Sequence, residues 1–312
     1  MNTVESVFGI RLTRRTAMKG LLAASAAGAF AAHGIGAFAQ DATPGASDYP
    51  EVVIVGTEFA FEMPASVAGG WTRITLDNQG ATMDHHAMLM RVNDGSTYDD
   101  LGAALQSGDF GAIFAVSTSV GGPMAGPGGT ASVIAALEPG QYMAICVIPD
   151  DQGVPHVALG MAAEFEVTEA VEAEAPVADT RIELVEMMFH GTPEEIAAGP
   201  AVWEVANIGA QLHEMFIAQV APGFTFEQIS AMLLTPPEAT PEGGMDHASP
   251  EAAMMAPPFT NIGGVAPMSP GYTNYVPLEF TPGEYFAICF VPDPESGAPH
   301  AALGMIIGFT VA

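Results

Sequence analysis

The 312-residue chain holds only two cysteines, Cys146 and Cys289. So few exclude a disulfide-stapled framework and allow one bridge at most. Basic residues are also scarce, with seven Lys and Arg against 36 Asp and Glu and a net charge of −29. A surface so acidic repels nucleic acid and anionic lipid, and neither is an expected partner. Beyond residue 40 no apolar run reaches the roughly 20 residues that a membrane-spanning helix needs. No His-x-His pair occurs anywhere.

What is present begins with an N-terminal leader. "TRRTAMKG" precedes the apolar, Ala-rich run from Leu21 to Phe38 and "AFA" before Gln40, the layout of an export signal over residues 1–39. Arg14 and Arg15 in that setting resemble a twin-arginine signal. A mature protein outside the cytoplasm, periplasmic or extracellular, is expected. No cysteine follows the cleavage region, so no lipid anchor is expected. Without residues 1–39 the basic side chains are Arg73, Arg91 and Arg181 against 35 acidic ones, a net charge of −32. Such a charge favours solubility and steers towards cationic partners.

The chain is written twice. "STYDDLGAAL" (Ser96 to Leu105) matches "FTFEQISAML" (Phe224 to Leu233), and His85 matches His213, at an offset of 128 residues. "PGQYMAIC" (Pro139 to Cys146) matches "PGEYFAIC" (Pro282 to Cys289) at an offset of 143. One unit is expected over 49–168 and a second over 180–312, joined by the acidic tether 169–179. The extra length of the second unit falls at about 234–261, where Pro, Ala and Met predominate and a surface loop is expected.

Within each unit the periodicity is of strand type. "EVVIVGTEFAFEM", "TRITLDNQG", "HAMLMRV", "ASVIAAL", "GQYMAICVI" and "GMAAEFEVT" are short runs of β-formers between Gly and Pro turns. One short helix is expected from Thr97 to Leu105, with a twin from Thr225 to Leu233 that opens on the capping-box pair Thr225 and Gln228. These elements predict an all-β fold of two small antiparallel sandwiches or barrels, each with a short helix.

Four residue types recur in order in both units. They are His85, Cys146, His156 and Met161 in the first, and His213, Cys289, His300 and Met305 in the second. Alone, each has a plain structural role: a strand Cys is a small buried hydrophobe, a Met fills a core gap, and a His lies at the surface or satisfied in the core. Together, a thiolate, two imidazoles and a thioether are the donor set of an electron-transfer copper site. Tyr142, Ala144 and Cys146 alternate onto one strand face, which points Cys146 inward. A disulfide between the cysteines would require two domain interiors to meet.

The stretches "NQGATMDHH" and "NIGAQLHE", the G-x-Y-x-x-x-C strand and the closing "HVALGM" and "HAALGM" resemble the cupredoxins, the blue or type 1 copper family. The resemblance covers essentially all of the mature chain. It implies two tandem Greek-key β-sandwiches, each with one type 1 copper held at one end by the four residues above. It also implies one-electron transfer to a redox partner protein. The Cys-to-His loops, nine and ten residues long, are similar to that of copper nitrite reductases.

Tandem cupredoxin domains also occur in nitrite reductases and two-domain laccases. Those enzymes hold further copper on additional histidines, commonly including one directly before the ligand cysteine. Here Ile145 and Ile288 stand at that position. His86, His190 and His247 are the remaining histidines of the mature chain, so a trinuclear cluster is not expected and an electron carrier rather than an enzyme is. His86 or His190 would have to build any second copper type at a subunit interface. Met88, Met90 and Met215 are candidates for a docking patch or for core. Copper sequestration or delivery is the alternative function, with Met245, His247, Met254 and Met255 as a loose Cu(I) set. A metal-free structural sandwich is the third.

Overall fold

A computed structural model describes residues 49–235 and 258–312. The expected leader and most of the expected insertion, including Met245, His247, Met254 and Met255, lie outside the described residues.

The first unit runs β1 (Glu51–Thr57), β2 (Ala60–Glu62), β3 (Ser66–Asn78), β4 (His85–His86), β5 (Met88–Val92), α1 (Tyr98–Ser107), α2 (Phe110–Val116), β6 (Ser117–Ser119), β7 (Met124–Ala125), β8 (Thr130–Leu137), β9 (Gly140–Ile145) and β10 (Ala162–Val171). The second runs β11 (Thr180–Val185), β12 (Met188–His190), β13 (Glu195–Ile196), β14 (Gly199–Asn207), β15 (His213–Val220), α3 (Phe226–Leu234), β16 (Phe259–Met268), β17 (Thr273–Phe280), β18 (Gly283–Ile288) and β19 (Ile306–Val311). No described helix is long and apolar enough to cross a membrane.

Alternation puts Val52 and Ile54 of β1, Ile74 and Leu76 of β3, and Val133 of β8 into the same core as Tyr142 and Ala144 of β9 and Phe165 of β10. The fold is all-β with sandwich-like sheets, but it is not purely antiparallel. β1 and β10 both pair parallel to β3, and β11 pairs parallel to β14. Hairpin reasoning could not foresee this, because each of these partners is reached through a connection other than a tight turn. β10 also continues to Val171, into the stretch read as a tether, because Ala170 and Val171 pair with Gly69 and Gly70.

Both expected helices form, and each is capped as its sequence dictates. Thr97 and Asp100 close a capping box at α1, as Thr225 and Gln228 do at α3. α2 was not foreseen, since "FGAIFAV" is rich in β-formers. It forms because Gly108, at φ 66°, ends α1 in a left-handed cap and the Asp109 side chain then accepts from the N–H groups of Gly111 and Ala112.

The two units share one sheet. β8 of the first pairs with β17 of the second through Ala135 with Asn274 and Ile134 with Tyr275. Buried polar contacts add to this seam. The Asn274 amide donates to Val120 O (2.9 Å) and accepts from Gly122 N (3.1 Å), and Ser119 N donates to Ser269 Oγ (3.1 Å). The apolar core is likewise continuous across both units.

Candidate metal centre

In each unit a buried asparagine shapes the approach to the first histidine. Asn207 donates to Gln211 O (2.9 Å) and Met268 O (2.7 Å) and accepts from Gly209 N (3.1 Å). Asn78 makes the same three kinds of contact with Met83, Ala125 and Gly80. A fully buried amide with every bond made loses all of them on truncation. Asn207→Ala should therefore lower stability by about 2–3 kcal/mol, read as a shift of the urea midpoint with unchanged slope. An unchanged midpoint would show that the loop holds itself.

The cysteine stands at the end of its strand, and the chain then returns to it. Val157 N donates to Cys146 O (2.7 Å) and Cys146 N donates to Met161 O (3.2 Å). Ala301 N and Cys289 N repeat both bonds with Cys289 O and Met305 O, at 2.9 and 3.1 Å. Each histidine opens a 3-10 turn, His156–Leu159 or His300–Leu303, which ends on Gly160 (φ 110°) or Gly304 (φ 118°). Only glycine adopts that backbone freely, so the methionine that follows is turned back onto the cysteine strand. The long loop between Cys and His holds itself together. Asp150 Oδ1 accepts from Gln152 N and Val154 N, and Asp293 Oδ1 accepts from Glu295 N and Ser296 N.

The structure brings His85, Cys146 and His156 together, and separately His213, Cys289 and His300, with the candidate donor atoms of each trio within 4.8 Å of one another. All six residues are fully buried, as are Met161 and Met305. His85 Nδ1 lies 3.2 Å from His156 Nδ1, and Cys146 Sγ lies 3.4 and 3.9 Å from His156 and His85 Nδ1. The centre of that triangle is about 2 Å from each corner, the length of a metal–nitrogen or metal–sulfur bond. In the second unit the two Nδ1 atoms are 3.0 Å apart, and Cys289 Sγ is 3.5 Å from His300 Nδ1. Both cysteines are free thiols, so the bridge is not formed.

Electrostatics agree with a cation site. Burial first, and then the neighbouring His156, hold the His85 imidazole down at about 4; burial and His300 do the same for His213. Burial also lowers His156 and His300. The imidazoles are therefore neutral near pH 7 and have lone pairs to give. Burial pushes the Cys146 thiol up to about 12 and raises Cys289 as well. A buried thiol of this kind becomes an anion only if a cation takes its proton's place.

At His300 an orienting partner decides which nitrogen faces the centre. His300 Nε2 is 3.0 Å from Gln211 Oε1, whose amide nitrogen is in turn held by Asp293 (3.3 Å). The ring proton thus sits on Nε2, leaving Nδ1 as a donor to metal. Glu186 Oε1 lies 3.8 Å from His213 Nε2, too far for a hydrogen bond, and sets a negative charge beside that ring. Glu186 and its equivalent Glu58 also cap the loop before the histidine, through Ala210 and Gln211 N and through Ala81 N. Sequence reasoning missed both acids, although they share the 128-residue offset of the histidines. Gln211 has no such signal, because Met83 stands at the matching place.

The remaining expected residues are placed as follows. His86 and Glu214 occupy equivalent positions after the first histidine and have one task. His86 Nε2 accepts from Val147 N (2.8 Å) and Glu214 Oε1 accepts from Phe290 N (2.7 Å), each tying that strand to the residue after the cysteine. His190 is exposed and faces Glu183 at 3.2 Å. Met88, Met90 and Met215 are buried, and Met88 and Met90 also line a cleft between the units.

No family model and no curated protein matches the chain. Solved structures do. An auracyanin of the photosynthetic bacterium Roseiflexus castenholzii is 21% identical, with 42% of this chain and 94% of the other covered at a TM-score of 0.27. A copper nitrite reductase from Nitrosomonas europaea is 13% identical over 84% of this chain and 93% of the other, at 0.23. A multicopper oxidase from Campylobacter jejuni is 11% identical over 85% and 64%, at 0.24. At such scores these likenesses carry no weight about chemistry, which rests on the residues of this chain. The chain is an all-β protein of sandwich-like sheets whose two repeats each carry one buried His–Cys–His cluster.

Proposed function

We propose that each sandwich holds one copper ion, through His85, Cys146, His156 and Met161 in the first and His213, Cys289, His300 and Met305 in the second, and that the protein is an electron carrier rather than an enzyme. The observation that supports this best is the buried triangle of one sulfur and two imidazole nitrogens, sized for a metal ion and duplicated. A copper ion in such a donor set supplies one-electron exchange between Cu(I) and Cu(II). The chain's own groups do the rest. Gln211 keeps His300 aimed inward, the apolar walls exclude water, and the return loop fixes each methionine beside its cysteine strand.

Export by the leader at residues 1–39 would place the carrier outside the cytoplasm. The mature charge of −32 favours a cationic redox partner protein. The test is copper analysis with an absorption spectrum of the purified mature chain. Two coppers per chain and an intense visible thiolate-to-copper band are expected. Tightly held, colourless Cu(I) would instead establish sequestration, and no copper uptake would leave a structural sandwich.

A further inference from the structure

The two clusters carry the same donors but differ in what stands behind them. In the second unit His300 Nε2 lies 3.0 Å from Gln211 Oε1, and the Gln211 amide nitrogen lies 3.3 Å from Asp293 Oδ2. A carboxylate only accepts, so the amide nitrogen faces Asp293 and the amide oxygen faces the ring. A chain of bonds thus runs from the ring N–H through an amide to an anion. In the first unit Asp150 stands at the place of Asp293, at the 143-residue offset, but Met83 stands at the place of Gln211, at 128. A thioether donates no hydrogen bond and cannot link a ring to a carboxylate. His156 Nε2 is buried with no hydrogen-bond partner among the described residues, and its ring meets Phe59 in a T-shaped contact with centroids 5.2 Å apart.

A hydrogen bond accepted from the ring nitrogen that faces away from the metal makes the other nitrogen a stronger donor. Stronger donation favours the higher charge state of a bound ion, and an apolar surround favours the lower one. We propose, resting on the copper reading above, that Gln211 is a positioning residue that sets the reduction potential of the second centre below that of the first. A single electron on the chain then rests in the first unit as Cu(I), and the second centre stays Cu(II).

The test is a mediated redox titration of the copper-loaded full chain, read at the visible band. Cys146→Ser isolates the second centre and Cys289→Ser the first. At one fixed potential the Cu(II)/Cu(I) ratio should be about tenfold higher in the second centre, which is about 59 mV for a one-electron couple. Gln211→Met, which gives the second repeat the residue of the first, should remove most of that difference and leave the ratio of the first centre unchanged. A purely structural role for Gln211 would instead lower copper content or melting temperature and leave the ratio in place. In the metal-free chain, nitrogen NMR should show the His300 proton on Nε2. Equal ratios, the reverse order, a ratio unmoved by Gln211→Met, or a proton on His300 Nδ1 overturns the proposal. Each of these is read with both centres loaded or with no metal at all, whereas a chain that takes up no copper removes the copper reading itself and this proposal with it.

Discussion

Cys289→Ser is expected to reduce copper uptake from two ions per chain to one and to remove half of the visible absorbance. The thiol is buried at the end of β18, 3.5 Å from His300 Nδ1, and no other sulfur of a cysteine is available in that unit. A serine hydroxyl keeps the volume within one atom but stays protonated and hard, so it cannot replace a thiolate towards copper. The first cluster lies in the other sandwich on its own strands and should load normally. Because a ligand that binds only the folded state stabilises it by mass action, the rise in melting temperature on adding copper should also shrink. Copper analysis and a melting scan check both effects. If the variant still binds two ions with an unchanged spectrum, the second ligand set is misassigned.

Gly264→Ala should be among the most destabilising glycine-to-alanine substitutions at the described residues, on the order of 3–5 kcal/mol, which lowers the melting temperature by about 10 °C. Gly264 sits at φ 134°, and a Cβ there would overlap the carbonyl oxygen of Met215 and press on Met124 Sδ at 3.2 Å. Gly122 is in the same state at φ 135°, against the Ala87 carbonyl. Neither obstacle is a flexible side-chain end. Both are backbone carbonyls two residues past a histidine ligand candidate, so the clash cannot be relieved by a side-chain movement. Melting curves of the two alanine variants check this, and a fall of only 1–2 °C would show that the β15–β16 ladder can shift.

Much of the fold could be read along the chain because its signals are local. The alternation of Tyr142, Ala144 and Cys146 and the capping pair Thr225 and Gln228 act over two to four residues. The repeat offsets then carried each assignment from one half to the other. The parallel pairs of β3 with β1 and β10 were not legible, since parallel partners share no turn that would mark them. α2 was hidden because its β-forming side chains outweigh its propensity until Asp109 caps it.

By itself the sequence determined the duplicated all-β framework and the eight candidate metal donors, because strand periodicity, turn residues and recurring side-chain types are properties of the chain alone. Only the tertiary structure decided how the donors are aimed and what lies between the halves. Gln211 reaches His300 across 89 residues, Asn274 joins two sandwiches across 154, and His86 and Glu214 line one cleft built from both. Contacts of that separation leave no local pattern, since they exist only once both cores have packed and brought distant backbone to one place.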